Sequence, residues 1–446
     1  MASTVFGKRI DVAPPKKDPT DSGWYLAAGP ELPYNTLRGE VTCECLVIGA
    51  GWMGLHAARR YAELNPSAHV VLVDAGRIGN NASGRCLGFA IDLAHNPRKR
   101  DFIEDVKGNN EEYHVNLEGT AYLKSWVDMG VDCDWDPQGK YHSAATDHGV
   151  ADLMNFSKAL DRMGQKYRWV EKNEMQDLTG SKHYIKGLFH PGTVLLQPAK
   201  YLMNAARMMP KNVTVYENTI VNTATFGKPQ HVFQTQGGVI RARKVILCTA
   251  GYLNNFGFFP KSAIPVYTFA SMTRVLTEKE LAGVGHGPFG LIPANSFGTT
   301  VRRTTDNRLI FRNVYAYAKG HNVGTAEIYN AREYQKLSFD RRYPELTKIG
   351  FEHSWGGMLT LAQNGGMAWG ELAENVYSSS FCNGTGVSRG SAFGKAIAEL
   401  ASGMSSETIE ILKRRAKPSR AYPELITEFG VNYVTGKRFK EAGEEI

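Results

Sequence analysis

The chain has 446 residues, of which 42% are hydrophobic and 22% are charged, and its formal net charge is +8. This composition excludes global disorder, and the length favours two closely packed domains over one simple core. The basic residues are spread along the chain, so we interpret their short clusters, at 96–102 and 412–417, as solvated surface rather than a nucleic-acid site.

The cysteines and the apolar segments narrow the class of protein further. The six cysteines lack the spacing of a metal site or a disulfide framework, so we expect reduced thiols and no metal. The N-terminal segment has no apolar stretch typical of a secretory signal. No run approaches the roughly 18 apolar residues of a membrane span. These features predict a cytoplasmic enzyme.

A glycine-rich turn between a strand and a helix is the first element with chemical content. The apolar residues 46–48 predict a buried strand, and the apolar spacing from Leu55 onward predicts a helix. Between them Gly49, Gly51 and Gly54 form the pattern G-x-G-x-x-G. These glycines permit a tight turn, close approach of a pyrophosphate and close packing of the helix, whose N-terminus donates N–H groups to phosphates.

An acidic residue at the end of the next predicted strand narrows the choice of nucleotide. The segment HVVLVDAG predicts a second buried strand that ends at Asp74. A carboxylate there accepts hydrogen bonds from ribose hydroxyls and repels a 2′-phosphate. The two motifs favour FAD or NAD over NADP, and a dinucleotide site over a purely structural glycine turn.

The next segment, RIGNNASGRCLGFAIDL at 77–93, distinguishes FAD from NAD. An NAD enzyme would continue into a helix, whereas this segment predicts a loop that offers backbone amides and Arg85 to a flavin and its pyrophosphate. Here NASGRCLG, 81–88, resembles the glycine oxidase/D-amino-acid oxidase (DAO) family of FAD-dependent amine oxidoreductases. Within the family it resembles the branch of gamma-glutamylputrescine, sarcosine and iminodiacetate oxidases.

Further segments along most of the chain carry the same resemblance. They are YNTLRGEVTCECLVIGAGWMGLHAA, HPGTVLLQPAKYLMNAA, ARKVILCTAGYLN, HSWGGMLTLAQNGGMAWGEL and FCNGTGVSRGSAFGKAIAELASG. The resemblance implies FAD binding at these motifs. The implied residues are Gly49, Gly51, Trp52, Met53, Gly54, Asp74, Ala75, Ser83, Gly84, Arg85, Cys86, Leu87, Gly88, Ala250, Gly251, Asn383, Gly384, Thr385, Gly386 and Val387.

The chain departs from the family pattern at three places. Cys86 and Leu87 stand where the branch usually has Asn and Gly, Arg389 replaces a small apolar residue, and 366–368 replace the usual Leu-Pro. These changes weaken the transfer of any one relative's substrate. Cys86 is either an attachment point for the flavin or a buried unreactive thiol, and we favour the thiol.

The resemblance and the recurring strand segments predict an α/β protein with a discontinuous, Rossmann-like FAD-binding domain and an α+β second domain. We expect the FAD-binding domain at 1–95, 148–264 and 345–404, the substrate domain at 96–147 and 265–344, and a C-terminal extension at 405–446. The β-branched and aromatic residues of PVYTFASMTRVLT and GTTVRRTTDNRLIFRNVYAY predict an antiparallel sheet in the substrate domain, facing the flavin, with a turn at Asp306 and Asn307.

The family resemblance also implies a reaction. It implies hydride transfer from the C–N carbon of a small secondary amine or N-substituted amino acid to FAD, imine hydrolysis, and reoxidation by O2 with release of H2O2. Two alternatives stay open: a dehydrogenase that passes electrons to a quinone or carrier protein, and an NAD-dependent dehydrogenase. We expect no nucleic-acid partner and no membrane span, and the sequence leaves the oligomeric state open.

An amino acid substrate needs a cation for its carboxylate, which a guanidinium meets best with two hydrogen bonds. Strand alternation points one of Arg302 and Arg303 toward the flavin, and we favour Arg302. Two solvated sheet arginines explain the same pattern equally well. Arg274, on the same predicted sheet, is a second candidate.

The remaining candidates are residues for the walls of the pocket. His353 is expected to hydrogen-bond the substrate or help keep its amine neutral, and Trp355 to form an apolar wall. A structural histidine and simple core packing of the tryptophan are the alternatives. Tyr315 and Tyr317 are further candidate walls.

Overall fold

The computed structural model describes residues 5–94 and 103–446. Within them the chain forms 19 strands. In chain order these are β1 Arg9–Asp11, β2 Gly39–Ile48, β3 Val70–Val73, β4 Phe89–Ala90, β5 Lys140–Ala144, β6 Arg168–Glu171, β7 Lys186–His190, β8 Val194–Leu195, β9 Val213–Tyr216, β10 Val221–Thr225, β11 His231–Thr235, β12 Gly238–Leu247, β13 Ile264–Thr273, β14 Phe289–Pro293, β15 Thr300–Arg303, β16 Leu309–Tyr317, β17 Phe351–Leu361, β18 Ala368–Ala373 and β19 Val376–Ser380.

Eleven α-helices accompany these strands in the described residues. They are α1 Gly23–Leu26, α2 Trp52–Leu64, α3 Val106–Asp128, α4 Asp147–Arg162, α5 Lys172–Thr179, α6 Pro198–Arg207, α7 Glu278–Leu281, α8 Thr325–Arg342, α9 Ser388–Ala401, α10 Glu407–Arg414 and α11 Glu424–Ala442. Across the same residues, every helix is too short or too polar to cross a lipid bilayer.

The first sheet has nine strands, in the order β1-β10-β11-β12-β2-β3-β9, and β19 joins β12 and β18. The strands β19, β12, β2, β3 and β9 form its parallel part, with β9 at the edge. Val47 and Leu72 pack in one apolar cluster with Leu55 of α2, while Leu46 and Val71 pack in another on the opposite face. A parallel sheet covered on both faces explains the continuous apolar runs, and the predicted Rossmann-like arrangement is confirmed.

The second sheet has eight strands, in the order β17-β13-β16-β15-β14-β5-β7-β6. Its pairs are antiparallel except β14 and β5, which run parallel. The chain turns between β15 and β16 at Asp306 and Asn307, as the sequence predicts, and Asn307 has a φ of 64°. The helix α8 packs against β16, β13 and β17.

The boundaries expected from the sequence differ from the membership of the two sheets. The segments 148–264 and 345–404 were expected in the FAD-binding domain, but they supply β6, β7 and β17 to the second sheet. Alternating apolar residues identify a strand without identifying its partner, and β17 finds its partner in β13. The chain therefore crosses between the sheets more often than the sequence indicates.

The segment 405–446 packs on both parts of the molecule. Ile409, Ile411 and Leu412 bury one side of α10 against the first sheet's helices. The helix α11 lies against β16 of the second sheet. Beyond it, the carboxylate of Glu445 accepts hydrogen bonds from the backbone N–H groups of Ala145 and Thr146 at the start of α4.

Candidate active site

The glycine turn between β2 and α2 has no room for side chains. A Cβ on Gly54 would overlap the carbonyl oxygen of Gly49. A Cβ on Gly49 would overlap the carbonyl oxygen of Cys248, the residue that follows β12. Gly51 faces Ser83, whose hydroxyl oxygen accepts a hydrogen bond of 3.2 Å from the N–H of Trp52. The helix thus starts tight against the sheet, with its N–H groups at the turn.

Asp74 stands beside this turn at the end of β3. Its carboxylate accepts hydrogen bonds from the N–H groups of Ala50 at 2.7 Å and Gly76 at 2.9 Å, and from the side chain of Asn81 at 3.2 Å. Burial raises the pKa of this carboxyl group, while the three hydrogen bonds oppose the shift. A fixed acceptor beside a helix N-terminus fits the ribose and pyrophosphate of a dinucleotide.

A cavity of about 730 Å³ is lined by strands of the second sheet, by the loop before β4 and by the start of α9. Arg85, Cys86, Leu87 and Gly88 form part of its wall, and so do the backbone and side chains of 384–387 at the start of α9. The Thr385 hydroxyl lies buried without a hydrogen-bond partner in the described residues. The glycines at 88, 384 and 386, the N-terminus of α9 and the unpaired Thr385 hydroxyl fit a large, polar and planar cofactor such as FAD.

The other predicted cofactor residues brace these loops. The Asn383 side chain accepts a 2.9 Å hydrogen bond from the Ala362 N–H and donates to the carbonyl oxygens of Phe381, Gly365 and Gly366, at 3.1 Å each. The following residues therefore approach α9 in a fixed turn. Some of the predicted cofactor residues line the cavity: Arg85, Cys86, Leu87, Gly88, Gly384, Thr385, Gly386 and Val387. Others lie at the glycine turn, after β3 and in the loop before β4, outside the cavity wall, and their contact with FAD remains a prediction: Gly49, Gly51, Trp52, Met53, Gly54, Asp74, Ala75, Ser83 and Gly84.

Ala250 and Gly251 lie in a 3-10 turn after β12. A Cβ on Gly251 would meet Thr360 of β17 and His321, so this glycine allows a close approach to the second sheet. Neither residue lines the cavity wall. Their expected contact with FAD remains a prediction.

Arg85 is held by the protein itself. Its guanidinium donates hydrogen bonds to the carbonyl oxygens of Thr20 at 2.7 Å and Gly356 at 3.1 Å, and it lies 3.3 Å from the carboxylate of Asp18. The charged end of Arg85 therefore ties the loop to β17 and to the N-terminal segment. The Cys86 thiol beside it is half-buried, and burial raises its pKa to about 11, so the sulfur is protonated at neutral pH.

Arg302 points to the predicted face of the second sheet but does not reach the cavity. Its guanidinium donates to the carbonyl oxygens of Leu87 at 2.6 Å and Leu196 at 2.5 Å, and stacks over Trp24 at 5.0 Å. Desolvation lowers its pKa to about 10, which leaves it charged at neutral pH. Strand alternation gave the right face, but α1 and the loop at Leu87 cover this end of the sheet.

His353 and Trp355 also lie outside the cavity wall. The Trp355 indole is fully buried and donates a 3.0 Å hydrogen bond to the carbonyl oxygen of Arg85, so it supports the loop from behind. His353 lies 3.4 Å from Glu352, and burial is the main cause that lowers its pKa. His353 and Trp355 both lie against Gly23, next to the Trp24 ring that Arg302 covers, so the three predicted catalytic residues lie near α1 and outside the cavity wall.

Arg312 of β16 is the cation that the second sheet presents to the cavity. It is half-buried, it donates a 2.6 Å hydrogen bond to the hydroxyl of Tyr315, and its guanidinium lies 5.0 Å from the centre of that ring. Thr268 and Ala270 of the neighbouring strand line the same wall. Sequence reasoning named Tyr315 but missed Arg312, although both lie in the strand that it predicted.

The helix α11 completes the outer part of the cavity. Arg438 and Glu441 line it there, and the Arg438 guanidinium lies 5.8 Å from the ring centre of Phe297. No sequence motif indicated this role. The packing of residues 405–446 against the second sheet places these side chains at the cavity.

The chain resembles known proteins in sequence and in structure. The family model described as DAO, FAD dependent oxidoreductase, matches residues 44–400. The gamma-glutamylputrescine oxidoreductase of Escherichia coli (strain K12) is 25% identical in a 398-residue alignment that covers 86% of this chain and 89% of that protein. In structure, the glycine oxidase from Geobacillus kaustophilus matches with a TM-score of 0.69 at 16% identity, over 86% of this chain and 100% of that chain. The iminodiacetate oxidase from Chelativorans sp. BNC1 matches with a TM-score of 0.65 at 14% identity, over 85% and 100% of the two chains.

Proposed function

Because the chain belongs to the DAO family of FAD-dependent oxidoreductases, we propose that it oxidises the C–N bond of a small secondary amine or N-substituted amino acid that carries a carboxylate. Arg312 is the observation that supports this substrate class. It is a half-buried guanidinium on a wall of the cavity opposite the loop 85–88. A cation in this position favours an anionic ligand, and its planar donors suit a carboxylate.

The relatives support the same class of substrate. The E. coli relative is named for gamma-glutamylputrescine, and the structural neighbours named above act on glycine and iminodiacetate. All three compounds combine a nitrogen with a carboxylate. We therefore transfer the class, an amine with a carboxylate, and not any one compound.

The residues of this chain would bind and orient the substrate. FAD supplies the two-electron oxidation of the amine when it is bound. Arg312 would hold the carboxylate and Tyr315 would hold Arg312 in place through their hydrogen bond. The apolar walls at Leu87, Leu93 and Phe156 would exclude water, which favours the neutral amine that gives up a hydride.

The oxidised product would be an imine, which water hydrolyses to a carbonyl compound and a shorter amine. We propose O2 as the electron acceptor, giving H2O2. The purified protein should show flavin absorbance that bleaches anaerobically when sarcosine, iminodiacetate or a related compound is added. Return of the colour on admitting air supports the oxidase, whereas return only with a quinone supports a dehydrogenase. Failure of every carboxylated amine to bleach the flavin would refute the proposed substrate class.

A further inference from the structure

The helix α11 carries a row of large apolar side chains on its solvent side. Leu425, Ile426, Phe429 and Tyr433 are 75%, 57%, 73% and 60% exposed, and Tyr422, just before the helix, is 63% exposed. At 3.6 residues per turn these positions share a face roughly 100° wide. A cluster of this kind on a protein surface is typical of a site that another surface covers.

The opposite face of α11 holds the helix on the protein. Thr427 and Ala442 are buried, and the ring of Phe439 packs edge-on against Tyr334 of α8 with 5.1 Å between the ring centres. Glu428 also pairs with Lys319 at 2.9 Å. The apolar face therefore points outward while the helix is docked, so its exposure is not the result of a detached helix.

The charges around this face decide between the surfaces that could cover it. Lys437 and Lys440 are exposed and, by the same helical geometry, continue the outward face beyond Tyr433. Lys437 lies 3.8 Å from the exposed Glu441, whereas Glu424 and Glu428 fall toward the docked side. A second copy of the chain would bring the same lysines and another net charge of +8. Both repel a copy and attract an anionic surface.

We propose that α11 docks on an anionic phospholipid bilayer, lying in the plane of the headgroups. Leu425, Ile426 and Phe429 would enter the boundary of the acyl chains, Tyr433 would lie at the headgroup level, and the lysines would contact phosphates. The inner side of the same helix lines the cavity with Arg438 and Glu441. Docking would therefore bring the bilayer against the outer wall of the cavity. This inference does not depend on which substrate the enzyme oxidises.

The test is co-sedimentation of the full-length, FAD-loaded protein with phosphatidylcholine vesicles prepared with and without phosphatidylserine. We expect binding to the anionic vesicles only, weakened by salt. The double variant L425S/F429S should lower the partition coefficient by at least about tenfold. Its matched control is M154S/V275S, which removes two apolar side chains that are 54% and 45% exposed elsewhere.

A second pair of variants separates the local charge from the net charge. K437E/K440E should lower the partition coefficient by roughly fivefold for each lysine, whereas K172E/K211E, at two exposed lysines away from α11, should leave most of the binding intact. Absence of binding to anionic vesicles overturns the proposal, as does an equal loss in the control variants. A dimer in sedimentation velocity that L425S/F429S dissociates also overturns it, because a second copy would then cover the face.

Discussion

Replacing Arg312 by Met tests the proposed recognition of a carboxylate. Methionine keeps most of the apolar stem of the side chain but removes the guanidinium and all its N–H donors. In the structure only one of these donors has a described partner, the hydroxyl of Tyr315 at 2.6 Å, so the others remain for a ligand. Two charge-assisted hydrogen bonds from a half-buried group contribute about 2–4 kcal/mol. We therefore expect kcat/KM for a carboxylated amine to fall about 30- to 1,000-fold.

The assay is anaerobic flavin reduction by iminodiacetate or sarcosine, compared with dimethylamine, which has no carboxylate. The variant should lose the preference for the carboxylated compounds, and its rate with dimethylamine should hardly change. Arg303 offers the matched control, because its guanidinium is engaged by the carbonyl oxygen of Gly285 and the side chain of Asn307. If Arg312→Met keeps the wild-type preference at full flavin content, Arg312 does not bind the carboxylate.

Three further predictions concern the cofactor fold. Gly54→Ala should abolish FAD retention in gel filtration, because the added Cβ would overlap the carbonyl oxygen of Gly49. By contrast, Gly430→Ala should raise the free energy of unfolding by about 0.5–1 kcal/mol, because Gly430 lies on α11 with open space around it. Arg302→Met should lower the unfolding free energy by roughly 2–4 kcal/mol, since it leaves the carbonyl oxygens of Leu87 and Leu196 unpaired, without changing the carboxylate preference in flavin reduction. Burial raises the pKa of Glu217 from 4.5 to about 7, so the folded state binds a proton there more tightly than the unfolded state. The resulting stabilisation of the fold is complete below pH 4.5 and is lost as the pH rises through 7. Glu217→Gln should remove that part of the pH dependence in urea unfolding curves and raise stability at pH 8 by at most about 3 kcal/mol; an unchanged pH profile would contradict the assignment.

The sequence predicted the glycine turn and the strand before Asp74 because their signals are local. Gly49 has a φ of 100°, and a side chain on Gly54 would overlap the carbonyl oxygen of Gly49, so both requirements arise within six residues of the chain. Asp74 follows a strand whose apolar run is itself the evidence for burial. For these elements, the residues that form the structure are the same residues that display the pattern.

The substrate half could not be predicted in the same way. Arg302 and Arg312 lie on paired strands of one sheet, and both satisfy strand alternation. The two arginines differ in what lies over their side chains. Trp24 and Leu87 cover Arg302, whereas Arg312 lines the cavity. That cover comes from distant segments, so it depends on tertiary packing that periodicity does not encode.

The placement of β12 between β2 and β19 has a consequence for how the protein is made. The strand pairs residue by residue with Cys45–Ile48 on one side and with Val376–Ser378 on the other. During synthesis a ribosome must therefore release nearly the whole polypeptide before β12 can gain its last neighbour. Until then an apolar strand edge stays open, which favours aggregation and engagement by chaperones. The yield of native protein should accordingly fall when chaperone capacity is low or the growth temperature is high.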